Sequence, residues 1–317
     1  MRLSVAPRRF KKRYLALAAV AVLFLAINAP GLVAVGYRLW YMPQVARLPT
    51  LSFGQERLLV LSPHPDDETL CCAGAIQQVL RAGGQVYVVW FTSGDGFEWA
   101  ATLTERTLRP RGRASLELGN RRILEARKAA GILGIPEANL YFLGYPDRGL
   151  GQMVAHPSRR YRSRLTGVDA VPYAQALSPG AAYTGQNLEY DFEQVLNAVR
   201  PTLVLAPSPK DAHPDHRAVG EVAIRVLGRR GELERLRYWI VHGGLEWPLP
   251  KGLHPALPLE PPPRGRGLPW ERLDLDSEEE QTKLEATRAH GSQMELLSRF
   301  MLAFVRKNEL YSPTPLP

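Results

Sequence analysis

The chain has 317 residues, 45% of them hydrophobic, which is enough for one large domain or two small ones. Its 27 prolines and 27 glycines point to many loops without the bias of a disordered chain. The net charge of +9 comes from the first 49 residues, which hold eight Arg/Lys and no acid; the remaining 32 basic and 31 acidic residues nearly cancel, so the body gives no argument for nucleic-acid binding.

The basic cluster "APRRFKKRY" precedes Tyr14–Tyr37, 24 residues without a charge. At roughly 1.5 Å per residue that run can cross a hydrocarbon core about 30 Å thick. Pro30 and Gly31 interrupt it, Leu15–Ile27 has the length of a signal-peptide apolar region, and Ala34-Val35-Gly36 fits a cleavage site. Tyr37, Trp40 and Tyr41 resemble an aromatic belt, which favours an uncleaved transmembrane signal anchor over a cleaved leader. The expected organisation is a cytoplasmic tail (1–13), an anchor (14–37), a linker (38–56) and a body (57–317) on the outer side of a cell membrane.

Within the body, Arg57–Ser62 is strand-like. Glu68–Arg81 is an amphipathic helix, with Leu70, Ala73, Ile76, Gln77 and Leu80 along one side and Gly83-Gly84 ending it. "QVYVVWFTSGDG" is a second strand running into a turn, Asn120–Leu133 a helix, and "ANLYFLGYPD" a third strand. Leu188–Val199 and Ala218–Arg229 are helical, and strands "PTLVLAPSP" and "RLRYWIVHGG" precede and follow the second of these. Long loops are expected at 97–120 and 150–186, and one long helix at Glu278–Lys307. This alternation predicts an α/β, Rossmann-like, mainly parallel sheet with helices on both faces. In such sheets ligands gather at the carboxyl ends of strands, where strand order reverses.

Two clusters stand at such strand ends. The first is His64-Pro65-Asp66-Asp67-Glu68, where Pro65 breaks the run from strand to helix and aims neighbouring side chains apart. A helix N-terminus explains Asp67 or Glu68 through capping and the helix dipole, but it does not explain His64 as well. The second, "LVLAPSPKDAHPDHRAVG", places Asp211, His213, Asp215 and His216 after another apolar strand and before a helix. Imidazole and carboxylate are standard ligands for Zn²⁺, and together the clusters supply three protein ligands of a catalytic site with water in the fourth position. Cys71 and Cys72 are adjacent, where bridging is rare, so no disulfide is expected and they are read as packing residues inside a helix.

"SPHPDDE" and "HPDH", with "FTSGDG" (91–96), "RRILEARKAAGILGI" (121–135) and "FLGYPD" (142–147) between them, resemble the LmbE-like/PIG-L zinc N-deacetylases over roughly residues 57–225. The tail "TRAHGSQMELLSRFMLAFVRKNELY" resembles the end of larger members. The resemblance implies one zinc per chain (Fe²⁺ as the alternative), held by His64, Asp67 and His216. It implies Asp66 as general base, His213 as the aid to oxyanion and leaving group, and Asp215 as the residue that orients His213. It assigns Arg122, with the neighbouring Arg121 as the alternative, and Asp147 to the sugar. Some members carry a tyrosine near the oxyanion where this chain has Asp211, which makes Asp211 a candidate substrate contact. The implied substrate is an N-acetylated amino sugar in a glycolipid, glycan or glycoconjugate. Two other readings compete: a different metal-assisted esterase or phosphoesterase, and a membrane-anchored sugar-binding protein without catalysis. Phosphoesterases commonly use two metals, and these ligands serve one.

Overall fold

The computed structural model of the chain describes residues 8–96, 112–244 and 247–315. Its main sheet has five parallel strands, β1 (Arg57–Ser62), β2 (Gln85–Thr92), β3 (Leu140–Tyr145), β4 (Leu203–Pro207) and β5 (Leu236–Trp239), in the order β3-β2-β1-β4-β5. Leu58, Leu59, Val60 and Leu61 of β1 are fully buried, as are Val204, Leu205 and Ala206 of β4. Such unbroken apolar runs are what a strand covered on both faces requires. The covering helices are α2 (Asp67–Arg81), α3 (Arg113–Ile132), α4 (Leu150–Ala155), α5 (Gly185–Val199), α6 (Pro214–Arg230) and α7 (Ser277–Ala289). α2 and α3 each pack against α7, and α4 and α5 each pack against α6. The expected α/β architecture stands.

From β1 the chain winds outward through β2 to β3, then returns to place β4 on the other side of β1, in register Leu58 to Leu203 and Val60 to Leu205. Strand order reverses between β1 and β4, and a crevice opens at their carboxyl ends. The two His/Asp clusters follow these two strands.

Several boundaries differ from expectation. α3 starts at Arg113 rather than Asn120, and most of the expected loop at 97–120 lies outside the described residues. α6 starts at Pro214 rather than Ala218, so Asp215 and His216 sit in its first turn; a proline at the first helical position forfeits an N–H that has no partner there. The expected final helix is two helices, α7 and α8 (Gly291–Met301), because His290 takes non-helical angles (φ −77°, ψ 61°) ahead of Gly291. The chain then enters β7 (Asn308–Tyr311), which pairs antiparallel with β6 (Glu271–Asp274). The stretch 150–186 is no simple extended loop: it contains α4, an Ala170–Ala182 bridge, and buried Tyr173 and Tyr183.

At the N-terminus one helix, α1 (Arg8–Ala46), runs from the end of the expected tail through the anchor and into the first half of the linker. Among the described residues no helix is long and apolar enough to cross a membrane, so the transmembrane expectation finds no support in them. Tyr37, expected in an interfacial belt, is instead buried on the body, where its hydroxyl donates to the Pro258 carbonyl at 3.3 Å. Leu15, Val20 and Leu23, farther up the helix, are exposed. A second correction concerns Cys71 and Cys72, which are joined by a disulfide despite the Cα separation of 3.8 Å that argues against one in a sequence. Both side chains are buried in the core, as the packing reading requires.

Candidate active site

His64, Asp67 and His216 meet at the crevice. Nδ1 of His64 is 3.2 Å from Oδ2 of Asp67, Nε2 of His216 is 3.1 Å from the same oxygen, and the two nitrogens are 3.3 Å apart. An ion bound tetrahedrally at about 2.0–2.1 Å places its ligand atoms roughly 3.3 Å from one another, so these three atoms form one face of such a site. The donor set is imidazole and carboxylate, as zinc prefers, and all three residues are buried.

Each of the two histidines has a carboxylate behind it. The other nitrogen of His216, Nδ1, stands 3.2 Å from Oδ2 of Asp211, though off the ideal hydrogen-bond direction. Nε2 of His64 lies 3.4 Å from both Asp215 and Asp147. Carboxylates in that position fix the ring and make it a better ligand. They also set the charge state. Burial pushes the His216 imidazole down, but Asp67 and Asp211 more than reverse this and lift it to about 9. Burial raises Asp67, and the two histidines, His216 foremost, hold it well below the usual carboxylate range. A cation entering the triangle therefore displaces protons held there by the same carboxylates.

Asp66 occupies the turn between β1 and α2 with φ of 140°, a strained angle for a residue with a side chain. Arg122 of α3 restrains that turn from beneath. One guanidinium nitrogen, Nη2, donates to the Pro65 carbonyl at 2.6 Å and lies 3.1 Å from Oδ2 of Asp66; the other, Nη1, donates to the Gly94 carbonyl at 2.9 Å. Position 94 must be glycine: it has φ of +64°, and a Cβ there would stand 2.0 Å from Nη1. Burial raises the Asp66 carboxyl to about 6 against the pull of Arg122.

His213 caps α6. Its Nδ1 accepts from the Asp215 backbone N–H at 3.2 Å, so in the neutral ring the proton sits on Nε2. Burial, with the neighbouring His64 and His216 rings, lowers its pKa to about 2, so it is a neutral donor. Asp215 touches His213 through its backbone; its carboxylate meets His64 and accepts from the backbone N–H groups of Arg148 and Leu150. Asp211 is also placed differently from expectation. It is fully buried and accepts from the backbone of His213, Val241 and His242, holding the β4–α6 turn to the end of β5; it does not line the cavity. A carboxylate with that many internal donors is a structural support and not a substrate contact.

The cavity above the triangle has a volume of about 200 Å³ and is lined by His64, Asp66, Asp67, Arg122, Asp147 and His213, with Leu297, Phe300 and Met301 forming an apolar wall. That is below the roughly 300–1,000 Å³ of drug-sized sites and suits one small ring. Asp147 is buried in its side and accepts from the Gly96 N–H at 3.1 Å.

Residues 59–227, just over half of the chain and including both clusters, match the family model described as PIG-L: GlcNAc-PI de-N-acetylase. The chain belongs to the PIG-L family. It is 30% identical over 261 residues to a protein of Saccharopolyspora erythraea named 1D-myo-inositol 2-acetamido-2-deoxy-alpha-D-glucopyranoside deacetylase 1, a match covering 76% of this chain and 78% of that one. A protein of the same name without the numeral, from Mycobacterium sp. (strain KMS), is 28% identical over 195 residues, 61% of this chain and 57% of its own length. The fold is shared with the crystal structure of the A40926 pseudoaglycone deacetylase, at TM-score 0.52 and 22% identity over 82% of this chain and 97% of that one. This PIG-L member is an N-deacetylase.

Three residues of this PIG-L chain escaped sequence reading. His242 follows β5, and its ring centroid is 4.8 Å from that of His216 and stacked at 5.8 Å on Phe300. The sequence reading placed it inside the strand "RLRYWIVHGG"; β5 ends at Trp239, which leaves His242 in the turn that follows. Glu68, read as a helix cap, does accept from the Asp66 N–H, but it also accepts from Trp90 Nε1 at 2.8 Å and faces His290 Nε2 at 3.2 Å. His290 Nε2 also lies 3.1 Å from Thr69 Oγ1, so it ties the α7–α8 break to the start of α2 across 221 residues, a contact no local pattern announces.

Proposed function

We propose that this chain is a zinc-dependent N-deacetylase that removes the acetyl group from an N-acetylglucosamine-containing glycolipid, glycan or glycoconjugate. The observation that carries the reading is the donor triangle of His64, Asp67 and His216 beside Asp66 in one small cavity. The ligands serve one ion per chain, with Fe²⁺ as the alternative to Zn²⁺. The names of the Saccharopolyspora and Mycobacterium relatives, both 2-acetamido-sugar deacetylases, support an amino-sugar substrate.

When bound, the ion lowers the pKa of a water molecule and polarises the acetyl carbonyl. Asp66, raised to about 6, is ionised at neutral pH yet basic enough to accept the proton of the attacking water. Arg122 holds that carboxylate and the turn beneath it in place. The Nε2 proton of neutral His213 is the donor for the oxyanion that develops on the acetyl oxygen, a role worth about 10²–10³ in rate where it has been removed elsewhere. Asp66 then delivers its proton to the departing amine. Leu297, Phe300 and Met301 keep water from that side. Asp147 and Arg122 remain the residues proposed to meet the sugar.

Acetate release from a panel of N-acetylglucosamine compounds by the zinc-loaded chain tests this, with phosphate and ester release measured in parallel. Acetate from at least one amino sugar supports the reading, and phosphate or ester cleavage alone defeats it. The body is further proposed to lie outside the cell membrane, as the basic flank before Tyr14 suggests. An export-dependent reporter fused after Pro317 should be active there, and a reporter active only in the cytoplasm would refute that placement.

A further inference from the structure

A second and larger cavity, about 750 Å³, adjoins the catalytic one and shares Asp147 and Arg148 with it. Its wall is the stretch 148–165, which carries five arginines and no acid within a body otherwise balanced in charge. Arg160, Arg162 and Arg164 are exposed, while Tyr161 is half-buried and Ser163 and Leu165 are buried, and all of these except Ser163 line the cavity. The backbone there is fixed: the Tyr161 N–H donates to the Tyr183 carbonyl and the Ser163 N–H to the Val168 carbonyl, both at 2.8 Å. Arg160 pairs with Asp169 at 3.1 Å. Among the described residues, Arg148, Arg159, Arg162 and Arg164 meet no carboxylate within ion-pair distance.

Arg148 marks the seam between the cavities. It sits at φ of +60°, unusual for a side-chain-bearing residue, and its N–H donates to Oδ2 of Asp215 at 2.6 Å. The catalytic turn thus fixes the backbone from which that arginine reaches. A solvated surface accounts for scattered arginines, but it gives no reason for a row of them lining a groove continuous with the site. Like charges held on a rigid wall repel, and an anion relieves that repulsion. The planar guanidinium pairs bidentately with phosphate and carboxylate alike.

We propose that the substrate carries an oxyanion, phosphate or carboxylate, on the portion extending away from the acetamido sugar, and that Arg148, Arg159, Arg162 and Arg164 hold it in this groove. This rests on the deacetylase reading of the neighbouring cavity.

The zinc-loaded full chain is assayed on methyl N-acetylglucosaminide, carboxymethyl N-acetylglucosaminide and N-acetylglucosamine 1-phosphate. The expected result is a kcat/KM for at least one anionic compound about tenfold or more above the neutral one, falling steeply from about 0.05 to about 0.5 M salt. Which anion gains more identifies phosphate or carboxylate as the partner. The triple variant Arg159→Gln, Arg162→Gln, Arg164→Gln should lose that preference and leave the neutral substrate unchanged. Equal rates on all three compounds, or a preference insensitive to both salt and the triple variant, overturns the groove while leaving the deacetylase reading intact. If no compound is turned over, that reading is what fails. The groove is then judged by titration calorimetry of the 1-phosphate against the methyl glycoside, equal affinities counting against it. Should the triple variant fold poorly, the salt dependence of the native chain decides.

Discussion

Nδ1 of His64 and Nε2 of His216 lie 3.3 Å apart although 152 residues separate them. The sheet makes this contact: β1 and β4 are hydrogen-bonded neighbours, and each hands its chain to a helix at the same edge. Asp67 closes the triangle from the first turn of α2 and His216 from the first turn of α6, so two helix starts hold the candidate metal face rigidly.

Asp211 supports this face from behind. Asp211→Asn keeps the shape but removes the charge beside His216, and zinc affinity measured by chelator competition should fall about 10–100-fold. At saturating zinc most of the turnover should return. A direct substrate contact would instead raise KM with zinc affinity unchanged.

Asp66 must be ionised to act as a base. Its folded value of about 6 puts a limb on the acid side of kcat/KM, with activity lost about tenfold per pH unit below it. A cation beside the carboxylate moves this limb further to acid and never to alkali. Asp66→Asn should retain zinc, lose at least about 10²-fold in kcat and abolish the limb; a limb centred above about 7 would assign it to another group.

Gly94 gives Arg122 its place. Gly94→Ala combines a left-handed backbone with a 2.0 Å clash on Nη1. It should cost about 1–3 kcal/mol in urea unfolding and lower kcat through Asp66. Unchanged stability and rate would show that the β2–α3 region yields without moving the arginine.

His290 and Glu68 couple the C-terminal helices to the first motif. Burial lowers His290, but Glu68 reverses this and raises it above 6.5; burial raises Glu68, but His290 with Trp90 lowers it below 4.5. The histidine's contribution is complete below 6.5 and lost as pH rises through its folded value, while the glutamate's is complete above 4.5 and lost as pH falls through its own. The stability gap between the native chain and His290→Ala should therefore be widest between these two values and narrow toward alkali. A gap independent of pH would mean that the pair is not charged.

Much of this was legible in the sequence for a physical reason. Strands buried on both faces leave apolar runs such as Leu58–Leu61, and a parallel sheet turns its chain at the same edge after each of them, so the meeting of His64, Asp66, Asp67 and His216 at one crevice was legible in the sequence. What stayed hidden depended on distance or direction. Asp211 and Asp147 look alike as acids in turns, and only the fold decides that one is enclosed by backbone N–H groups and the other opens on the cavity. The break at His290 hid inside a helical pattern because the groups His290 meets, Glu68 and Thr69, lie far away in the chain. The apolar run of α1 satisfied the rule for a membrane span, yet its far end is fixed to the body through Tyr37.

The most direct test is the metal content of the full chain after zinc loading and dialysis, read beside acetate release. The native chain should hold one zinc per molecule, and His216→Ala should hold far less and release no acetate. Equal zinc and equal activity in the two would contradict the triangle of His64, Asp67 and His216 as the catalytic metal site.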